Sequence, residues 1–269
     1  MNKLYSICWN IESECNEHCK FCYRKHCKNN TLNENKKIFD NISQLEIDKI
    51  TLCGGEPLLY KPLFELIHYM KEKRPSIKLS ITTNGMLVDN QMLEKIVDNF
   101  DNISFSIDSS DAKINESIGR GILHLSKVLS LLEKCNNRIK IKINTVANQM
   151  NKEDLNNIYR LISKYNIDRW KIFRFYPIRT GKDYKDMFFL NDVESQEIEK
   201  FIEKLNRTSK IKIHYNDFTE FTTSYFNIYP DGSLENSKEE NIGNLLYQNV
   251  FDILELYKEE LQNHYLRKN

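Results

Sequence analysis

Six short apolar runs, Tyr5–Ile11, Lys49–Leu52, Leu79–Thr82, Ile103–Ile107, Ile139–Val146 and Trp170–Phe175, recur along the chain, and no hairpin-length turn joins one to the next. Between them lie longer segments in which apolar residues return every three or four positions: Leu63–Lys73, Asn90–Asn99, Leu123–Lys134 and Lys152–Tyr165. Runs of this kind read as buried strands, and the segments between as amphipathic helices. A strand joined to the next through a helix requires a crossover, so the strands are expected to be parallel and the connections right-handed. The pattern predicts an α/β fold, a partial (β/α)6 barrel of parallel strands over residues 1–181. After Gly181 the rhythm changes to a polar bend, a helix around Glu194–Leu205, a strand near Ile211–Tyr215, the run Ser224–Tyr229, the hairpin signal Pro230-Asp231-Gly232 and a helix near Phe251–Leu261. This part, 182–269, is expected to be an α+β extension covering the substrate side.

A chain of 269 residues can bury a barrel-sized core. Lys and Arg number 39 against 38 Asp and Glu, so no broad basic surface for nucleic acid is implied, and an anionic ligand must be held by a local cluster. No stretch approaches the length of a membrane span, and Asn10 and Glu12 interrupt any signal-peptide pattern. The expectation is a cytoplasmic monomer that binds neither membrane nor nucleic acid. Seven cysteines in a reducing compartment then argue for metal or redox chemistry rather than for a disulfide framework.

Three of them, Cys15, Cys19 and Cys22, stand at Cys-x3-Cys-x2-Cys spacing in the loop after the first strand. Thiolates at this density suit an iron–sulfur cluster, and three of them on a four-iron cluster leave one iron open to a small chelating molecule. Two other readings compete: a structural zinc site completed by Cys27, His18 or His26, and reduced core cysteines. Cys8, Cys53 and Cys135 lie singly in apolar stretches and read as core. The stretch Gly54-Gly55-Glu56-Pro57 follows the second strand on the same rim, where two glycines let the backbone approach a ligand and Glu56 offers an acceptor to an ammonium group.

The cysteine triplet with Gly-Gly-Glu-Pro resembles the radical S-adenosylmethionine superfamily, over roughly Leu4 to Gly181. The resemblance implies a [4Fe-4S] cluster on Cys15, Cys19 and Cys22 whose open iron binds the amino and carboxylate groups of S-adenosylmethionine. It also implies a cofactor site drawn from Tyr23 near the adenine, Gly54, Gly55, Glu56, Pro57, Thr83, Asn84, Ser106 and Arg120, the last two meeting the cofactor's carboxylate and ribose. Parallel barrels place their chemistry at the C-terminal ends of the strands, where these polar residues interrupt the apolar runs.

A set of cations calls for a substrate. Lys142 alternates with Ile141 and Ile143 and shares a face with Asn144, Arg169 shares a face with Lys171 across Trp170, and Lys49 lies on the second strand. Their bland reading is a solvated strand face, or pairing with Asp48, Asp168 and Glu46; their functional reading is a polyphosphate. The segments Asp48–Pro57, Ser106–Ser109, Asn115–Gly121, Lys142–Asn148 and Arg169–Phe173 are similar to those of viperin and its prokaryotic relatives, a family of nucleotide dehydratases whose products act against viruses. That resemblance implies a ribonucleoside triphosphate (CTP, UTP or GTP), held by Lys49, Lys142, Arg169 and Lys171 with Asn144 near the substrate. The implied reaction is abstraction of the 4′ hydrogen by a 5′-deoxyadenosyl radical to give the 3′-deoxy-3′,4′-didehydro nucleotide. Tyr225 is implied to help deliver a hydrogen, and a ferredoxin- or flavodoxin-type donor to supply electrons. A peptide-modifying radical enzyme is the alternative, but such members often carry further C-terminal cysteines and this chain has none after Cys135.

Overall fold

The computed structural model describes residues 4–217, 226–236 and 239–256. Its strands are β1 (Leu4–Glu12), β2 (Ile47–Gly54), β3 (Lys78–Thr83), β4 (Asn102–Ser106), β5 (Lys140–Ala147), β6 (Ile167–Arg174), β7 (Lys212–Asn216), β8 (Phe226–Ile228), β9 (Ser233–Glu235) and β10 (Asn241–Asn244). Its helices are α1 (Leu32–Ile42), α2 (Leu63–Lys73), α3 (Asn90–Asn99), α4 (Ala112–Ser117), α5 (His124–Cys135), α6 (Leu155–Ile162), α7 (Thr180–Asp183), α8 (Lys185–Phe188), α9 (Asp192–Asn206) and α10 (Val250–Leu256). The predicted α/β class and the parallel pairing of consecutive strands are found. The chain forms two compact units, the first from 1–15, 25–81 and 220–269, the second from 16–24 and 82–219.

In the first unit the strand order is β10-β9-β8-β1-β2-β3, with Thr82 and Thr83 at the end of β3 assigned to the second unit. β1 lies parallel to β2, Ile7 beside Ile50 and Trp9 beside Leu52, and β8 adds to its other edge in parallel, Cys8 beside Asn227. The Pro-Asp-Gly turn then reverses the chain into β9, with Ile228 opposite Leu234. Alternation puts Ile7, Trp9 and Ile11 on one face, all fully buried. Ile38, Phe39 and Ile42 of α1 and Leu66, Ile67 and Met70 of α2 are fully buried too, each such side chain contributing about 1.5–3 kcal/mol.

α1 was not expected, and the reason is its polar Asn35 in the middle of the buried stripe. That residue is 1% exposed and its Nδ2 donates to the Tyr60 hydroxyl at 2.9 Å, so the donor that breaks the apolar period is met by a tertiary partner. A capping box between Thr31 and Glu34 starts the helix.

In the second unit the order is β4-β5-β6-β7, all parallel. Ile103, Phe105, Ile143, Trp170 and Ile172 are fully buried on one face, and Trp170 stacks on Tyr159 of α6 at 6.4 Å, so this is the face that the helices cover. The expected Lys152–Tyr165 helix is shorter: it enters through a 3-10 turn at Lys152–Asp154 and ends at Ile162. The predicted polar bend after Gly181 holds α7 and α8. Among the described residues no helix is long and apolar enough to cross a membrane.

Candidate active site

The loop that carries the cysteines is fixed at its start by β2. Beyond the last strand pairs, Gly55 N–H donates to the Glu12 carbonyl at 2.7 Å and Glu56 N–H to that of Glu14 at 2.8 Å. Gly54 sits at φ +142°, and a Cβ on either glycine would overlap the Glu12 or Glu14 backbone. The close approach that these glycines permit is thus to the chain's own backbone, which sets the direction in which Cys15 leaves the strand. Glu56 is fully buried and its Oε1 accepts from Leu58 N–H at 3.2 Å, while Pro57, also buried, opens the short turn Pro57–Leu59. The Glu12 carboxylate takes Glu14 N–H at 2.9 Å and the Asn29 amide, tying the two ends of the loop.

Cys15, Cys19 and Cys22 are reduced thiols, each half-buried. Burial pushes the Cys19 thiol far above its ordinary value, against the pull of the Arg120 charge, so protein surroundings alone keep it protonated. A metal would deprotonate it outright. Among the described residues no three His, Cys, Asp or Glu side chains are disposed to hold a single metal ion. The donor set, three thiols within eight positions, fits a cluster of irons.

Within the second unit, residues 16–24 are clamped from three sides. His18 N–H donates to the Gly119 carbonyl at 3.2 Å and Lys20 N–H to that of Ile118 at 3.0 Å; at Gly119, φ +93°, a Cβ would overlap the His18 backbone. Phe21 enters an apolar cluster with Ile118, Phe175 and Phe188, against which Cys19 and Val146 also pack. Asn84 Nδ2 donates to Asn16 Oδ1 at 2.8 Å, and the Thr83 hydroxyl accepts from Gly85 N–H at 3.0 Å.

The third clamp is ionic and was not expected. Arg120 donates through Nε to Asp108 at 2.7 Å and through Nη1 to Glu17 at 2.9 Å; its side chain is 10% exposed, and theirs are 0% and 5%. The other Glu17 oxygen meets His124 Nδ1 at 2.7 Å, and His124 Nε2 lies 2.8 Å from the Ser106 carbonyl. A carbonyl only accepts, so Nε2 donates. Burial acts to raise the Glu17 pKa, but the His124 hydrogen bond and the Arg120 charge hold it below the ordinary value. Arg120, Asp108, Glu17 and His124 thus form one buried, hydrogen-bonded set. Asp108 also accepts from Val146 N–H at 2.7 Å. Arg120, expected at the cofactor, has two of its nitrogens engaged in holding the cysteine loop. Glu17, Asp108 and His124 escaped sequence reasoning; the available signal was an acid between two cysteines and an acid ending an apolar strand.

On the face of β4–β7 turned away from the helices, register sets polar residues in rows. Ser104, Lys142 and Arg169 lie side by side, and so do Ser106, Asn144 and Lys171. Lys142, Asn144, Arg169 and Lys171 are all half-buried, and Arg169 Nε is buried with no hydrogen-bond partner. Four of the five expected substrate residues are thus adjacent. The fifth, Lys49, belongs to the first unit, on β2 between Ser6 and Lys78. Tyr23 is 37% exposed. Tyr225 lies outside the described residues.

Comparison with known proteins places the chain in a family. The profile of the Radical SAM superfamily matches residues 9–162, and the chain belongs to that superfamily. It is a radical S-adenosylmethionine enzyme whose cofactors are a [4Fe-4S] cluster and S-adenosylmethionine. It is 28% identical to the S-adenosylmethionine-dependent nucleotide dehydratase of Psychrobacter lutiphocae over 268 residues, covering 90% of this chain and 85% of that protein. It is likewise 28% identical to the enzyme of the same name from Selenomonas ruminantium, with 94% of each chain covered. Among solved structures, Streptococcus suis SuiB bound to the precursor peptide SuiA superposes with a TM-score of 0.76 at 16% identity, which shows a shared fold; the match covers 94% of this chain and 64% of SuiB.

Proposed function

We propose that the chain is a nucleotide dehydratase that converts a ribonucleoside triphosphate to its 3′-deoxy-3′,4′-didehydro form. The carrying observation is the order of residues along β5. Lys142, Asn144 and Val146 follow one another on one face, each step about 6.6 Å. Val146 packs in the cluster that holds Phe21 and Cys19, Asn144 comes next, and the Lys142–Arg169 row lies deepest. This order suits a ligand with its sugar toward the cysteine loop and its phosphates toward the start of the strands. The names of the two relatives support the same substrate class.

When bound, the cluster and S-adenosylmethionine supply a 5′-deoxyadenosyl radical able to take the 4′ hydrogen, after which the 3′ hydroxyl leaves with one further electron and proton. The chain's own residues bind and orient. Lys142, Arg169, Lys171 and Lys49 neutralise phosphate oxygens, Arg169 with a donor that the protein leaves unsatisfied. The Asn144 amide can bridge ribose hydroxyls. Cys15, Cys19 and Cys22 hold the cluster, with Tyr23, the Gly54–Pro57 turn, Thr83, Asn84, Ser106 and Arg120 around the cofactor. Phe21, Ile118, Phe175 and Phe188, against which Cys19 packs, would exclude water from that side of the cysteine loop. Tyr225 remains our choice for hydrogen delivery.

Reduced, cluster-loaded protein is expected to form 5′-deoxyadenosine far faster with one of CTP, UTP, GTP or ATP than without, and mass spectrometry of the mixture identifies the product. No stimulation by any of the four would refute the proposal. Lys142→Gln and Arg169→Gln should each cut the stimulation at least tenfold, a loss of about 1.4 kcal/mol or more, with the iron content unchanged.

A further inference from the structure

The cation row does not stop at β6. β7 runs parallel to β6 with Arg169 beside Lys212 and Lys171 beside His214. Register therefore aligns Lys142, Arg169 and Lys212 across three neighbouring strands, about 4.8 Å apart. The next row continues Asn144, Lys171, His214. The alternate residue of β7, Ile213, is 4% exposed and faces the helix side, so Lys212 and His214 share the face of the substrate cations.

Like charges directly opposite one another on neighbouring strands are destabilising, and here two such pairs are set in line. A row of three cations does match an anion whose charge is spread along a chain of phosphates, whereas one carboxylate or one phosphate would meet only part of it. The buried, unpartnered Arg169 Nε at the centre of the row is a second observation for a ligand on this face.

We propose that the phosphate-binding face extends onto β7, where Lys212, with the His214 imidazole beside it, binds the substrate's polyphosphate. This inference rests on the nucleoside triphosphate reading and adds to it two residues on a strand outside the six of the expected barrel.

The test uses the full cluster-loaded chain under anaerobic conditions, with inorganic tripolyphosphate as the calorimetric probe and orthophosphate as its control. Lys212→Gln should weaken tripolyphosphate binding about tenfold, the loss of one charge-assisted contact, and His214→Gln should weaken it less, while orthophosphate binding barely moves. Without the probe, Lys212→Gln should melt at the same temperature as the parent or higher, because a like-charged neighbour has gone. Parental affinity in Lys212→Gln alongside a loss in Lys142→Gln would overturn the extension and leave the dehydratase reading standing; that is the behaviour of a lysine that only guards a sheet edge. A lowered melting temperature without the probe would make Lys212 a structural residue and overturn the inference too. Parental affinity in both variants would mean that no polyphosphate sits on this face, and the extension would fall. Whether the dehydratase reading falls with it is decided separately, by nucleotide-stimulated 5′-deoxyadenosine formation.

Discussion

His124 shows how much a single side chain of this molecule holds. It is fully buried, and both ring nitrogens are engaged, Nδ1 with Glu17 in the cysteine loop and Nε2 with the Ser106 carbonyl at the end of β4. Removing it leaves the Glu17 carboxylate buried with Arg120 as its remaining ionic partner. His124→Ala is expected to destabilise the protein by about 3 kcal/mol, read from urea unfolding, because breaking a buried pair strands its other charge. Glu17→Gln with His124→Ala should cost less than the sum of the singles, and strict additivity would argue against a direct coupling. A plainer contrast concerns the thiols. Cys22→Ser should lower the iron bound after reconstitution, whereas Cys27→Ser, outside the triplet, should leave iron content and the cluster's visible absorption unchanged.

At the scale of elements, the strands that present the site are held by helix starts. α9 begins at Asn191 with a capping box to Glu194, and the same Glu194 carboxylate receives Lys152 at 2.6 Å and Gln149, both just after β5. The Lys152 ammonium, the Asn191 N–H and the Gln149 amide together hold the Glu194 carboxyl down at about 2. The sign of its effect follows: with the native value below the ordinary 4.5, the stabilisation is complete above about 4.5 and fades as pH falls toward 2. Glu194→Gln should therefore reduce the loss of melting temperature between pH 4.5 and 2; an unchanged acid limb would show that the contact adds nothing. The same scale shows why α1 escaped prediction. Its period is broken by Asn35, whose partner Tyr60 lies on another segment, and a pattern read along one segment cannot supply that partner.

At the scale of the whole molecule, the sequence by itself determined the α/β class and the places of the six parallel strands, with β2 two residues longer at each end and β6 starting three residues earlier than expected, and the spacing of the cysteine triplet. These are legible because each is local: strand and helix periods, and the spacing of thiols, are properties of consecutive residues. Alternation even gave the correct face for Lys142, Asn144, Arg169 and Lys171. Only the tertiary structure decided what lies beside what. It placed Gly54 and Gly55 against the backbone of Glu12–Glu14, turned Arg120 toward Asp108 and Glu17, buried His124 between Glu17 and β4, and brought Lys212 and His214 into register with Arg169 and Lys171. Strand register and buried ion pairs join residues tens of positions apart, and their energies depend on burial and on the partner's distance, neither of which is written in the order of the chain.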